Sequence, residues 1–350
     1  MQYSVLGSSG EKVSRVCLGS MTWGVQNSQE DANEQIDYAL AQGVNFIDTA
    51  EMYPVPPSAR TYGDTERIIG NWLAANPTRR NEFLLATKIA GAGLSYIRNG
   101  GMITGESVMQ AVDASLQRLQ TDYIDLYQLH WPNRTSPHFA KHWPGKVVLS
   151  QADTGQEKQQ MLEILQALQT CISAGKIRYV GLSDETPWGI ATYLQLSEQH
   201  SLPRIVSIQN EFSLLHAKDW PYLIEHCVRE NVAYLPWSPL AGGALSGKYL
   251  HDQVPAGSRW SFEQRQGIFR NTPMSQRAIA RYVDLAKTHN LSAVQLALLW
   301  CDQVEGVSST IIGATSMMQL KENIAAFELK LNPKAKSDIN MVFREFPLPF

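Results

Sequence analysis

Four residues of complementary chemistry follow short apolar segments of this chain. Asp48 and Tyr53 come after VNFI, Lys88 ends FLLATK and His130 ends IDLYQLH. A phenol beside an ammonium, a carboxylate and an imidazole suits general acid catalysis. Because a nearby ammonium favours the phenolate, we expect Lys88 to lower the pKa of Tyr53, while Asp48 holds Lys88 and neutralises part of its charge. His130 is expected to orient or polarise a substrate oxygen.

Each of the four residues also has an ordinary structural interpretation. A strand-end Asp often caps a helix, a Tyr is usually a core aromatic residue and a lone His is more often structural. There are few structural reasons for a buried Lys to lie at the end of a strand, and an acidic neighbour offsets the cost of its desolvation. The combination therefore favours one active site.

The segments that position these residues alternate between strand and helix periodicity. An N-terminal hairpin (residues 3–16) precedes eight apolar segments, which we predict to be strands. Most are followed by a helical pattern, and predicted helices lie at residues 30–42, 64–75, 104–119, 157–174, 187–200, 220–230, 275–302 and 317–327. Buried segments rich in Val, Ile and Leu that alternate with helices indicate an all-parallel sheet.

Polar residues end most of the predicted strands, as at the functional face of a (β/α)₈ barrel. They are Thr22, Asp48, Lys88, His130, Ser183, Gln209, Trp237 and Gly313. An open doubly wound sheet is the competing architecture, but it usually carries a glycine-rich fingerprint near its first strand, and Gly91–Gly93 lacks the third glycine. We predict one α/β domain over residues 1–350: a (β/α)₈ TIM barrel with an N-terminal β-hairpin and long loops at its C-terminal face.

Composition narrows the range of partners. Thirty Lys and Arg against thirty-three Asp and Glu give a net charge of −3, without a basic segment for nucleic acid. No apolar segment is long enough to suggest a membrane span, and none resembles a signal peptide. The four cysteines lie far apart without a CxxC pair, so we expect neither a metal site nor a disulfide framework. Free cysteines are typical of the reducing cytoplasm, and we therefore expect a cytoplasmic location.

Several separated motifs resemble the aldo-keto reductase superfamily over essentially the whole chain. They are FIDTAEMY, ATK, LYQLH, GLS, SIQN, PWSPLAGG, SGKY and IIGATSMMQLKENI, in that order. AEMYPVPP, ERIIGNWLA and LHWP resemble in particular its Tas-type branch, related to potassium-channel β subunits. The resemblance implies an NADPH-dependent reductase of aldehydes or ketones, in which Asp48, Tyr53, Lys88 and His130 form the catalytic tetrad and Tyr53 protonates the substrate oxygen.

The same resemblance implies a set of cofactor contacts. Near the nicotinamide it places Gly19, Ser20, Met21, Asp48, Ser183, Gln209 and, stacked on the ring, Trp237; along the pyrophosphate it places Ser238, Pro239, Leu240, Gly242 and Lys248, and near the adenosine phosphate Arg259. At the 2′-phosphate and adenine it places Gly313, Thr315, Ser316, Gln319, Glu322 and Asn323, where a helix N-terminus suits an anion. Two alternatives stay open: Ser316 and Gln319 also fit a capping box, and Trp237 could fill the barrel.

One cofactor position departs from the family pattern. Asp184 follows Ser183, where the family most often has Asn. An Asp accepts a hydrogen bond from a carboxamide NH₂ group but does not donate one, so we expect a weaker or rearranged nicotinamide contact. A helix-capping role in SDETP is the alternative.

The substrate is the part of the function that the sequence describes least. Three long loops, over residues 90–101, 131–156 and 241–272, are predicted to wall the pocket together with REFPLPF. Candidate pocket residues are Trp23, Tyr53, His130, Trp131, Met52 and Trp143. The reductase is expected to act on a small carbonyl compound and, as is typical of the family, as a monomer. Two other classes of function stay open: an aldolase with Lys88 as Schiff-base nucleophile, and an NADPH-binding sensor or partner protein with slow turnover.

Overall fold

Eight parallel strands form the centre of the protein in a computed structural model that describes residues 1–262 and 268–350. In spatial order they are β10 (Thr310–Ile312), β3 (Val16–Gly19), β4 (Phe46–Asp48), β5 (Leu84–Ile89), β6 (Ile124–Leu129), β7 (Ile177–Ser183), β8 (Ile205–Glu211) and β9 (Ala233–Trp237). Ser308 N, just before β10, donates to Tyr234 O of β9 at 2.9 Å and nearly closes the ring. The predicted (β/α)₈ barrel is confirmed.

The N-terminal hairpin, also confirmed, covers the bottom of the barrel. Strands β1 (Tyr3–Val5) and β2 (Lys12–Ser14) pair antiparallel. Gly7, in the turn, approaches the barrel so closely that a Cβ atom there would lie 2.1 Å from Val206 O, and its φ of +52° adds a second reason for glycine. Leu6 is fully buried, so this end of the barrel is packed with side chains.

Ten α-helices surround the barrel in the described residues. They are α1 (Gln29–Ala41), α2 (Asp64–Ala75), α3 (Gly105–Leu119), α4 (Thr154–Ser173), α5 (Pro187–His200), α6 (Tyr222–Arg229), α7 (Pro273–Thr288), α8 (Ala293–Asp302), α9 (Met317–Ala326) and α10 (Pro333–Glu345). None of these helices is long and apolar enough to cross a membrane.

Two helix predictions differ from the structure. The single helix predicted over residues 275–302 is wrong, because the chain breaks between α7 and α8: Asn290 has a φ of +56°, and the Ser292 side chain accepts from Gln295 N to begin a new helix. Helix α10 was not predicted. Its start has a clear signal, since Asn332 accepts from Ala335 N at 2.8 Å and Pro333 takes the first helical position.

Alternation along the strands decides which side chains reach the barrel interior. On β5, Ala86 packs among the interior residues, while Leu85 and Ile89 pack outward against the helices. Lys88 is two residues after Ala86, so it shares the interior face. Thr87 lies on the opposite face, where its hydroxyl donates to Glu66 of α2 at 2.6 Å. Each neighbour of Lys88 is therefore anchored outside the barrel.

Candidate active site

Lys88 and Asp48 form a buried ion pair at the C-terminal end of the barrel. Lys88 Nζ lies 2.6 Å from Asp48 Oδ2 and donates a second hydrogen bond to Thr49 O at 2.7 Å. The Lys88 residue is fully buried, and Asp48 is 2% exposed. Burial lowers the pKa of Lys88, but the charge of Asp48 and its hydrogen bond to Lys88 outweigh this effect, so the net pKa lies above its usual value. Lys88 is thus held as an ammonium.

Two amide side chains complete the hydrogen bonding of Asp48. Gln209 Nε2 donates to Asp48 Oδ1 at 2.9 Å, and Gln128 Nε2 donates to the same oxygen at 3.1 Å. Gln209 also donates to Gln128 Oε1 at 3.1 Å. The sequence analysis did not single out Gln128, although a polar residue inside the apolar segment IDLYQLH was a usable signal. Asp48 therefore anchors the centre of the site and does not cap a helix.

Tyr53 lies beside this ion pair. Its ring centre is 5.1 Å from Lys88 Nζ and 5.7 Å from the centre of the His130 ring, to which it is nearly perpendicular. The expected lowering of the Tyr53 pKa is wrong in its net direction: burial raises the pKa, and the opposing effect of Lys88 does not outweigh it. Tyr53 thus keeps its proton at neutral pH, as a general acid must.

His130 faces Tyr53 from the end of β6. Burial, with a further contribution from the Lys88 charge, lowers the pKa of His130 well below its usual value. The ring is therefore neutral at physiological pH and carries one N–H. Its Nδ1 is buried without a hydrogen-bond partner among the described residues, and the ring also packs 4.9 Å from that of Trp131.

Glu51 fixes the loop that carries Tyr53, and the sequence analysis did not single it out. Its carboxylate is 1% exposed. It accepts from Ala90 N at 2.6 Å and from two nitrogens of Arg98 at 2.5 and 2.8 Å. These bonds tie the loop after β4 to the loop after β5, so the position of Tyr53 depends on both.

Comparisons with known proteins identify the family of this chain. The sequence profile of the aldo/keto reductase family matches residues 15–342. The chain belongs to this family. It is 42% identical over 352 residues to protein tas of Escherichia coli (strain K12), covering 100% of this chain and 99% of that protein. It is 30% identical over 349 residues to the uncharacterized oxidoreductase YrpG of Bacillus subtilis (strain 168), covering 98% and 96%.

A third relative comes from the channel-subunit branch. The chain is 27% identical over 354 residues to a probable voltage-gated potassium channel subunit beta of Arabidopsis thaliana, covering 99% of this chain and 98% of that protein. The resemblance drawn from the motifs is therefore confirmed. This aldo/keto reductase is an oxidoreductase of a family that generally uses NAD(P)H.

The loop after β9 gives the aldo/keto reductase a basic cradle that fits an anionic cofactor. Gly242 and Gly243 have φ values of +68° and +92°, which other residues rarely adopt. A Cβ atom on Gly243 would lie 3.5 Å from Lys248 Nζ, and one on Gly242 would lie 3.9 Å from the guanidinium carbon of Arg259. With Arg270, which is paired with Glu211, three positive side chains thus converge on the two glycines, beside the predicted Ser238, Pro239 and Leu240.

The predicted adenine-side residues gather at the start of α9. Ser316 Oγ accepts from Gln319 N at 3.3 Å, which confirms the capping role of Ser316. A capping box would also need Gln319 Oε1 to accept from Ser316 N, but this oxygen accepts from Thr315 N instead, at 3.0 Å. Asn323 donates to Gly313 O at 3.2 Å, and Glu322 accepts from Ser292 Oγ at 2.9 Å. Their role toward a nucleotide stays a prediction.

The predicted nicotinamide-side residues surround Asp48 and the end of β7. Gly19 pairs in register with Asp48, and Ser20 Oγ donates to Asp48 O at 2.8 Å, with half-buried Met21 following in the chain. Ser183 pairs with Gln209 on the neighbouring strand. These residues therefore share the barrel mouth with the tetrad.

Trp237 and Asp184 lie together at the barrel mouth. Trp237 is half-buried at the end of β9 and packs against the apolar cluster inside the barrel, so both its filler role and its cofactor role stay predictions. Asp184 does not cap α5, because the Thr186 side chain takes that position and accepts from Gly189 N. Instead, Asp184 Oδ1 accepts a hydrogen bond from Trp237 Nε1 at 3.1 Å.

Trp23 is not a pocket residue. Its side chain is fully buried in the hydrophobic core outside the barrel, and its Nε1 donates to Gln35 Oε1 at 3.1 Å. Trp131, by contrast, is half-buried next to His130, and its Nε1 donates to Ala92 O at 3.1 Å. It also borders a cavity of about 210 Å³ between the end of β6, the segment before α3, and α4. Trp131 therefore remains a candidate wall residue.

A histidine beside the mouth should make stability depend on pH. His216 is 3% exposed, and burial lowers its pKa to about 4 against an opposing effect of Glu211. An unfolded His titrates near 6.5, so between pH 6.5 and 4 the unfolded chain binds the extra proton. We expect the free energy of unfolding to fall with decreasing pH in this window, by at most about 1.4 kcal/mol per pH unit for this group.

Urea unfolding at several pH values between 4.5 and 7.5 measures this effect. The variant His216→Gln should lose less stability across the window than the wild type, while exposed His200→Gln serves as the control and should follow the wild-type curve. Parallel curves for wild type and His216→Gln would contradict the assignment.

Proposed function

We propose that this chain reduces an aldehyde or ketone with NADPH and that Tyr53 is the general acid. The observation that carries the proposal is the position of Lys88, which lies 2.6 Å from Asp48 and 5.1 Å from the centre of the Tyr53 ring. His130 approaches the same ring from another side. These groups supply a proton, a charge that stabilises the resulting phenolate, and a donor for the substrate oxygen.

The proton chemistry follows from the side chains. When bound, NADPH supplies the hydride to the carbonyl carbon. The neutral His130 ring donates its N–H to the carbonyl oxygen and holds it near Tyr53. As negative charge develops on that oxygen, it becomes more basic than the phenolate and takes the Tyr53 proton. Lys88 then stabilises the phenolate electrostatically, and Asp48 keeps Lys88 in place.

The aldolase alternative does not agree with the state of Lys88. A Schiff-base lysine must reach its neutral amine form, which a lowered pKa promotes. Here the charge of Asp48 raises the pKa of Lys88 against the effect of burial. The likeness to a channel subunit favours the sensor alternative, whereas the tetrad does not. A measurement of turnover distinguishes the sensor from the reductase.

The preference for NADPH rests on Arg259, the residue of the basic cradle that the family resemblance places near the adenosine phosphate. Lys248 and Arg259 lie beside Gly242 and Gly243, and an additional charge-assisted hydrogen bond to a phosphate contributes about 1.5–3 kcal/mol. We expect NADPH to bind about tenfold tighter than NADH or better, because only NADPH carries the 2′-phosphate. Calorimetric titration of the wild type with both cofactors measures this difference.

A matched pair of variants tests the role of Arg259 in that preference. Arg259→Met should bring the two affinities closer together, while Arg281→Met, which removes an exposed arginine paired with Glu345, should leave them unchanged. Equal affinity of the wild type for NADPH and NADH would remove the 2′-phosphate assignment.

Replacing the proposed general acid tests the reaction itself. In Tyr53→Phe the hydroxyl is lost and the ring is kept, so carbonyl reduction should slow on the order of a hundredfold to ten-thousandfold, with NADPH affinity retained. The measurement is NADPH oxidation, followed by absorbance, over a panel of aldehydes, ketones and quinones. Exposed Tyr222→Phe is the control.

Two outcomes would contradict the proposal in different ways. Reduction by Tyr53→Phe at the wild-type rate would remove Tyr53 as the acid. Tight NADPH binding by the wild type without reduction of any carbonyl would favour the sensor function instead.

The partner, the oligomeric state and the cellular location of the protein stay predictions. A small carbonyl compound as the only partner, a monomer, and a cytoplasmic location are proposed on the family membership and on the four cysteines, all of which are free thiols and buried.

A further inference from the structure

Asp184 is a buried carboxyl group that the proposed proton chemistry does not use. It is 2% exposed and directly follows β7, where its N–H donates to Gln209 O at 3.1 Å. Its φ of +50° lies in the left-handed region, which Asp and Asn enter more readily than other residues with side chains. The backbone is therefore held in an uncommon conformation at the barrel mouth.

The contacts of this carboxyl group join three parts of the mouth. Trp237 Nε1, at the end of β9, donates to Asp184 Oδ1 at 3.1 Å. His138 Nδ1, in the loop after β6, lies 3.6 Å from the same oxygen. Phe139, the next residue of that loop, has its ring centre 5.8 Å from that of Trp237. Asp184 thus lies where β7, β9 and the long loop meet.

We propose that Asp184 is a positioning residue that fixes the ring plane of Trp237 through the indole N–H, so that the ring is ready to stack on the nicotinamide. This inference rests on the proposed reductase function. An indole has one donor, and leaving it without an acceptor in a partly desolvated site is costly. A carboxyl oxygen is an acceptor in either orientation of the group, whereas an amide accepts through only one of its two ends.

The pair gives Asp184 a partner at the position where the family most often has Asn. Burial raises the pKa of Asp184 well above its usual value, and Glu211 and Asp219 add to this against the Trp237 bond and Lys88. An Asn side chain keeps one acceptor oxygen at this position, so Asp184→Asn should preserve the acceptor.

A double-mutant cycle on NADPH affinity tests the pairing. Asp184→Ala should weaken NADPH binding about tenfold in the wild-type background and less than about twofold in Trp237→Phe, which lacks the N–H. Asp184→Asn should stay within about threefold of the wild type. Affinities come from calorimetry, and kcat and KM for one carbonyl are measured in parallel; thermal unfolding verifies that each variant is folded. Asp184→Leu replaces the Ala variant if that one does not fold.

The control is Asp302→Asn, which alters a carboxyl group paired with Arg15 away from the mouth and should leave NADPH affinity unchanged. Non-additive losses in the cycle, with rescue by Asn, support the inference. Equal losses from Asp184→Ala in both backgrounds, or no loss in either, overturn this inference alone. Absence of NADPH binding by the wild type overturns the proposed function and this inference together.

Discussion

The ion pair between Lys88 and Asp48 is the interaction on which the rest of the site depends. A fully buried ammonium costs several kcal/mol unless it is paired and hydrogen-bonded. Lys88 meets this condition through Asp48 and Thr49 O, and Asp48 meets it through Gln128 and Gln209. Removal of any one partner leaves a buried polar group without its hydrogen bond, so the arrangement has few alternatives.

The barrel supplies the registers that this interaction needs. Asp48 is opposite Gly19 of β3 and Ala86 of β5, and Lys88, two residues beyond Ala86 on the same face, is opposite Gln128 of β6, so the ends of these strands bring Lys88 and Gln128 to Asp48. The loop with Tyr53 is then tied down by Glu51 to Ala90 N and Arg98. The catalytic geometry is therefore a product of strand register and of two loops held to each other.

Much of the fold and of the site could be predicted because the relevant signals are local. Each tetrad residue follows an apolar segment, and parallel strands end at the same edge. Gln128 was missed because it lies within its segment, and the packing of Trp23 outside the barrel depends on contacts that sequence periodicity does not report. The Tyr53 pKa was predicted with the wrong sign because the charge of Lys88 is visible in the sequence, whereas the extent of burial is not. The break between α7 and α8 depended on Asn290, whose left-handed conformation the helical pattern obscured.

A buried positive charge at position 88 is proposed to support the proton chemistry of Tyr53. The single-turnover rate of carbonyl reduction tests this role in Lys88→Met, beside the double variant Asp48→Asn, Lys88→Met, which removes both buried charges together. We expect NADPH still to bind and the chemical step to slow by about a hundredfold or more in both variants. A folded Lys88→Met protein that reduces the carbonyl at the wild-type rate would contradict it.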